Sequence, residues 1–304
     1  MVERAATTEY KTIIASSPRW QQLPPRAGDI VVCTPPKVGT TWTQGIVRSL
    51  IAGHEEPAGS IPIDAPWIDS RFEPIETVVA RLEAQPHRRC IKTHTPADGI
   101  PLFADAHYIA VYRGGLDSFM SWVNHWNGMR MENMGAMIDE AIADGVDLTA
   151  LPPPTDDIHE MFQHWLDDPP QLGHLDTWWP LRAEPNVTVL HYADLLADLE
   201  GEMRRLAERL AIDVPDDAWP RVVARCSIDE MRAAHRGLEQ LDHHFDGGAD
   251  RFFNQGTNGR WRDVLTDEET TAYEAMVSAR LPDDDVRGWY EHGSLATGRR
   301  PEQI

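Results

Sequence analysis

The residues best suited to chemistry lie in Thr34-Pro-Pro-Lys-Val-Gly-Thr-Thr-Trp42, between an apolar run and a helical stretch. A strand feeding a tight glycine turn and then a helix N-terminus makes an anion site. Gly39 can adopt a positive φ without steric cost. The amides of the first helical turn, from Gly39 through Thr40 and Thr41 to Trp42, point at the ligand with the helix dipole behind them. Lys37 adds a point charge, and the threonines add hydroxyls. The ATP/GTP loop G-x-x-x-x-G-K-[ST] is absent, because the lysine precedes the glycine. Only Lys11, Lys37 and Lys92 are lysines, against 25 arginines, so a lysine in this turn marks a place that needs a compact, flexible cation.

Other elements must hold this turn in place. Asp29–Thr34, Arg89–Thr93, Tyr108–Tyr112 and Val187–His191 read as short buried strands. Thr40–Ala52, Leu116–Gly128 and Leu195–Leu210 read as helices between or after them, and Thr266-Asp-Glu-Glu269 reads as a capping box. Strands alternating with helices imply an α/β fold, a mostly parallel sheet flanked by helices, with a P-loop-like strand–loop–helix phosphate site. One domain over residues 1–304 is expected. Within it, residues 131–176 hold eleven acidic residues and no Lys or Arg, and read as an acidic, lid-like excursion with a helix near Asp156–Leu166.

Composition narrows the function. The 304 residues carry 28 basic and 49 acidic side chains, a net charge of −21, which argues against nucleic acid or an anionic membrane as partner. No apolar run is long enough for a membrane span, and the first thirty residues lack the apolar core of a signal peptide. Three widely spaced cysteines, Cys33, Cys90 and Cys226, suit neither a disulfide framework nor a zinc ribbon, and a cytoplasmic location is expected. His159 and His164 fall on different helix faces, no H-E-x-x-H occurs, and no metal site is expected.

Five segments in order resemble the sulfotransferase family, specifically the cytosolic type that uses 3′-phosphoadenosine 5′-phosphosulfate (PAPS). Residues 34–42 match the family's T-Y-P-K-S-G-T-T-W at seven of nine places, with Val38 for Ser and a proline for Tyr. Lys92-Thr-His-Thr-Pro96 is similar to K-T-H-L-P. Tyr108-Ile-Ala-Val-Tyr-Arg113, with Asp117 and Ser121 following, is similar to Y-V-x-R-N-P-x-D-x-x-x-S, though Gly114-Gly115 stand for N-P. Tyr192-Ala-Asp-Leu195 resembles Y-E-D-[ML], and Gly256-Thr-Asn-Gly-Arg-Trp-Arg262 resembles R-K-G-x-x-G-D-W-K.

The resemblance implies roles. His94 would be the general base, with Lys37 on the bridging oxygen of the leaving group and Lys92 on the sulfuryl oxygens, and with no metal. Lys37, Gly39, Thr40 and Thr41 would hold the 5′ end. Arg113 and Ser121 would hold the 3′-phosphate, and Trp42, Tyr192 and Ser227 would contact the adenine. Gly256 opens the last loop, where Asn254-Gln255 replace two expected cations; Arg260 and Arg262 are the candidates to compensate. Trp67, Phe72, Trp122, Trp126 and Phe162 would line a pocket for a small apolar or amphipathic hydroxyl acceptor. The family's dimer motif is poorly kept at Arg262, Thr266, Asp267 and Thr271, so the oligomeric state stays open. A P-loop kinase, or a protein that binds the bisphosphate nucleotide without turnover, are the alternatives.

Overall fold

Four parallel strands form the centre of the computed structural model, which describes residues 1–57, 59–150 and 155–304. They are β1 (Ile30–Cys33), β2 (Cys90–Thr93), β3 (His107–Tyr112) and β4 (Val187–His191), in the order β2-β1-β3-β4. Register is regular: Val31 pairs with Ile91 on one side and Tyr108 on the other, and Ala110 pairs with Val189. The strands are mostly buried and apolar because both faces of the sheet are covered, with Lys92 in β2 half-buried. Alternate residues serve two cores. Val31, Cys33, Ile91, Tyr108 and Tyr112 enter one, while Ile30, Val32, Cys90, Ile109 and Val111 enter the other.

This strand order places the topological switch between β1 and β3. The chain leaves β1 for β2 on one side and returns to β3 on the other. The crevice beyond the carboxyl ends of strands at such a point is where open α/β sheets bind ligands. The turn at 34–39 leaves β1, His94 follows β2, and Arg113 follows β3, so one rim collects all three.

The Thr40–Ala52 helix has the expected bounds and buries Ile46, Val47 and Leu50. The expected Leu195–Leu210 helix is two, Tyr192–Ala197 and Leu199–Arg209. Asp198 breaks it: its carboxylate accepts from the Gly201 amide and caps the second piece. Thr266 and Glu269 form the predicted capping box of the Asp267–Arg280 helix.

The acidic stretch divides in two. The Gly135–Ala143 helix is tied to the N-terminal segment by charge: buried Arg71 pairs with Glu140 (3.0 Å) and Asp144 (2.5 Å), and Lys11 pairs with Asp144 (2.9 Å). The Ile158–Asp167 and Pro170–Trp178 helices instead send Met161, Phe162, Trp165, Leu172 and Leu175 into the core. That half is a structural layer, because its apolar stripe outweighs its charge. Residues 152–154, the proline run, lie outside the described residues. Cys33, Cys90 and Cys226 are buried free thiols. Among the described residues no helix is long and apolar enough to cross a membrane.

Candidate active site

The turn after β1 is built by two residues of positive φ, Lys37 (71°) and Gly39 (105°). At Gly39 a Cβ would sit 2.8 Å from the Tyr192 ring, so glycine is needed both for the backbone and for close approach. Gln171 Nε2 donates to the Pro36 carbonyl (3.2 Å) and steadies the turn from outside. Thr40 is buried, its hydroxyl 2.6 Å from that of Thr34.

His94 leaves β2 and its Nδ1 lies 2.6 Å from the Thr34 carbonyl. A carbonyl only accepts, so Nδ1 carries the proton and Nε2 keeps its lone pair. Burial, then the charge of Lys92, hold the imidazole well below its ordinary pKa, against the pull of the Thr34 bond. The ring is neutral near pH 7, with the tautomer a base requires.

The charge here is unbalanced. Burial, with Lys92 and Arg113 adding repulsion, pushes Lys37 down to about 7, and burial pushes Lys92 down to about 8 despite Asp69. Among the described residues, neither lysine nor Arg113 has a carboxylate in ion-pair range. In a chain of net charge −21, three cations with no carboxylate partner at one rim suit an anion.

Lys92 is held from the side. Residues 66–68 run beside β2, with Lys92 N donating to Pro66 O (3.0 Å) and Ile68 N to Lys92 O (3.1 Å). That pairing stacks the Lys92 ammonium over Trp67 at 3.9 Å and sets Trp67 edge-on to His94, centroids 4.6 Å apart. Phe72 packs on Trp67 and on His244. Trp122 stacks between Phe119 and Trp126, and Trp126 is partly exposed. Phe162, expected at the pocket wall, is fully buried against Phe119 and Trp165, a core position set by the helix stripe it belongs to.

Arg113, at the end of β3, is buried and donates to Asn258 Oδ1 (2.9 Å) and the Thr257 carbonyl (2.8 Å), its guanidinium 4.2 Å above the Tyr192 ring. Asp117 accepts from the Gly259 amide (2.6 Å), so the last glycine loop is fastened to the start of the Gly115–Trp126 helix. Gly256 and Gly259 both have positive φ. Arg260 is close enough to act electrostatically on both Arg113 and Tyr192. Burial first, with Arg260 adding repulsion, lowers Arg113, while burial raises Tyr192 against the pull of Arg113 and Arg260. The Arg260 side chain makes no ion pair or hydrogen bond among the described residues. Arg262 is turned onto Trp261, 4.7 Å from its ring. At Asn254-Gln255 a different cation is present: Arg232, bonded to the carbonyls of Phe253 and Asn254. Trp42 donates to the Cys226 carbonyl (2.7 Å) and meets Tyr192 edge-on at 5.2 Å. Ser227 caps the Ile228–Ala234 helix, accepting from the Glu230 amide. Ser121 is half-buried on the Gly115–Trp126 helix.

Three participants escaped the sequence reading. His125 lies with Nδ1 2.9 Å from Lys37 Nζ. Burial and the neighbouring lysines hold it neutral, so the ammonium donates to it. It sits one turn beyond Ser121, and that i,i+4 spacing was the available signal. Asp69, fully buried, accepts from the Thr93 hydroxyl, Thr95 Oγ1 (2.6 Å) and Trp20 Nε1 (3.3 Å), fixing the end of β2. His174 bonds Tyr112 through Nδ1 (2.9 Å) behind His94. His174 gave no sequence signal, whereas Asp69 closes Pro66-Trp-Ile-Asp69, a segment similar to the family's P-F-L-E.

Fold and site together define a class: a nucleotide-handling group-transfer enzyme whose anion turn lacks the ATP-type lysine. The comparisons carry this to a family. The sulfotransferase domain matches residues 27–284, and the chain belongs to the sulfotransferase family. It is 34% identical to a glycolipid sulfotransferase of Mycobacterium bovis over 93% of this chain and 94% of that one. It is 23% identical to sulfotransferase 1A1 of Rattus norvegicus, covering 85% and 86%. In structure it resembles mouse sulfotransferase SULT7A1 complexed with PAP, at a TM-score of 0.71 with 17% identity, covering 98% of this chain and 99% of that one. The chain is accordingly a sulfotransferase enzyme of the PAPS-dependent type, and the kinase alternative is not favoured.

Proposed function

We propose that this protein moves the sulfuryl group of PAPS to a hydroxyl of a small amphipathic acceptor by in-line displacement, with His94 as base. The observation that carries it is the His94 tautomer, fixed by Thr34, on a rim shared with Lys37 and Lys92. Three cations with no carboxylate partner among the described residues, Lys37, Lys92 and Arg113, suit a ligand with separate anionic groups.

When bound, PAPS supplies an activated S–O bond. His94 Nε2 takes the acceptor's hydroxyl proton as the new O–S bond forms and the bond to the departing phosphate oxygen breaks. Lys37 stabilises that oxygen as it gains charge, and Lys92 steadies the sulfuryl oxygens, fixed charges placed where charge develops. Arg113, joined by Ser121 and Arg260, holds the 3′-phosphate; Trp42, Tyr192 and Ser227 flank the adenine. No metal is needed for this displacement.

Trp67 and Phe72 offer an apolar wall beside His94. The mycobacterial relatives carry the name glycolipid sulfotransferase, which makes amphipathic glycosides the first acceptors to test. Transfer of labelled sulfate from PAPS to a panel of glycosides, sterols and phenols is the direct assay. Label on a lipid-linked or aryl hydroxyl that is lost in His94→Ala supports the reading. A thermal shift with ATP and magnesium but none with adenosine 3′,5′-bisphosphate would overturn it.

A further inference from the structure

The Gly114-Gly115 pair, where the family has N-P, is accounted for by what lies behind it. A Cβ on Gly115 would fall 2.3 Å from the Tyr273 hydroxyl, and one on Gly114 would fall 3.0 Å from the Glu291 carbonyl. Two residues from the C-terminal helices Asp267–Arg280 and Asp284–His292 thus occupy the space that side chains would fill. They form a chain of hydrogen bonds: the Gly115 amide donates to the Tyr273 hydroxyl (3.0 Å), which donates to Glu291 Oε1. That amide opens the Gly115–Trp126 helix, directly after Arg113.

We propose that Tyr273 and Glu291 are positioning residues for the 3′-phosphate side of the nucleotide site, and that this side grips an anion less well once Glu291 is ionised. The proposal rests on the donor reading given above. A carboxylate behind a helix N-terminus competes with an anion in front of it, since both draw on the same amides and the same dipole. Through Tyr273 the charge is delivered to the Gly115 amide itself, and hydrogen bonds in a chain polarise one another.

The groups facing Glu291 favour its protonated form. Tyr273 and Glu274 come from one helix, Tyr290 from its own, and Asp117 from the Gly115–Trp126 helix. None of these is a cation, and burial followed by the Asp117 and Glu274 charges outweighs the Tyr273 hydrogen bond, raising the carboxyl to about 7. Between pH 6 and 8 it therefore passes from mostly neutral to mostly charged. Anion binding in front of the helix raises its pKa further, so the nucleotide and the proton bind cooperatively.

The test is the affinity for adenosine 3′,5′-bisphosphate, by calorimetry at pH 6 and pH 8, in wild type and Glu291→Gln. The ligand's own ionisation and that of Lys37 are common to both proteins and cancel in the ratio. Expected is near-equal affinity at pH 6 and about fivefold tighter binding by Glu291→Gln at pH 8, the size of one screened charge interaction. A ratio independent of pH overturns the proposal. Tyr273→Phe, which keeps the ring, is read in the same titration and serves if Glu291→Gln does not fold. It should raise KM for PAPS with little change in kcat and flatten the pH response between 6 and 8, whereas a merely structural role would leave that response intact. Should wild type bind no bisphosphate at either pH, the donor assignment itself fails.

Discussion

The two regions proposed above for the 5′ and 3′ ends of the nucleotide are built differently. The proposed 5′ end is desolvated: Lys37 in the turn after β1, Lys92 within β2 and His94 just after it are backed by Asp69, Gln171 and His174. The 3′ end is a clasp of one buried arginine, one helix start and a glycine loop fastened by Asp117 and Arg113. Chemistry needs the first kind of surrounding, where charges are fixed before the reaction and hydration is removed. Binding a spectator phosphate needs only cations that can adjust. Both ends depart from the family pattern, the first at Val38 and one proline of its turn, the second at Gly114-Gly115 and at Asn254-Gln255, where two expected cations are missing.

That contrast can be broken by substitution. The largest effect is expected at the 5′ end: His94→Ala should lower kcat about 10²- to 10⁴-fold while adenosine 3′,5′-bisphosphate still stabilises the protein in a thermal melt. If kcat changed by less than tenfold, another group, with His125 the first suspect, would be the base. Next comes Arg113→Ala, expected to weaken the bisphosphate about 10- to 100-fold, since a charge-assisted hydrogen bond is lost, with kcat at saturating PAPS largely kept. A fall in kcat alone would erase the distinction between the ends.

Smaller changes sharpen it. Arg260→Ala should weaken binding several-fold and Arg262→Ala scarcely at all, because Arg260, with no side-chain partner among the described residues, stands beside Arg113 while Arg262 lies on Trp261. Equal effects in a direct titration would show that the loop rearranges on binding. The smallest effect is one of protons. Lys37 has a ligand-free pKa of about 7, and a bound anion favours its charged form. Its pKa must rise on binding, so nucleotide binding at pH 8 takes up a proton and affinity declines as pH climbs past about 7. Calorimetry in two buffers of different ionisation heat measures that uptake, and Lys37→Met should reduce it by close to one proton. His94, already neutral, should add no break of its own near pH 6.5 to kcat at saturating PAPS.

Local signals carried much of this. The run from Thr34 to Trp42 spells strand, turn and helix by itself, since Gly39 and the first-turn amides act over a few residues. Four mostly apolar runs became the four strands, because a strand covered on both faces favours apolar residues, with Lys92 near the carboxyl end of β2 the exception that reaches the site. The reading failed where a local pattern had two uses. Phe162, expected at a pocket wall, is core through its packing against Phe119 and Trp165, while Trp122 is half-buried between Phe119 and Trp126. Asp198 broke a helix that periodicity alone joined.

What the sequence by itself determined is the set of strand–loop–helix pieces and the sulfotransferase motifs they carry, since those depend on backbone preferences and residue types a few positions apart. The tertiary structure decided which pieces meet. His125 reaches Lys37 from 88 residues away, Tyr273 reaches Gly115 from 158, and Asp69 fastens the end of β2 from 24 and 26. Such contacts arise when a β2-β1-β3-β4 sheet brings three strand ends to one rim, and no local periodicity encodes that meeting.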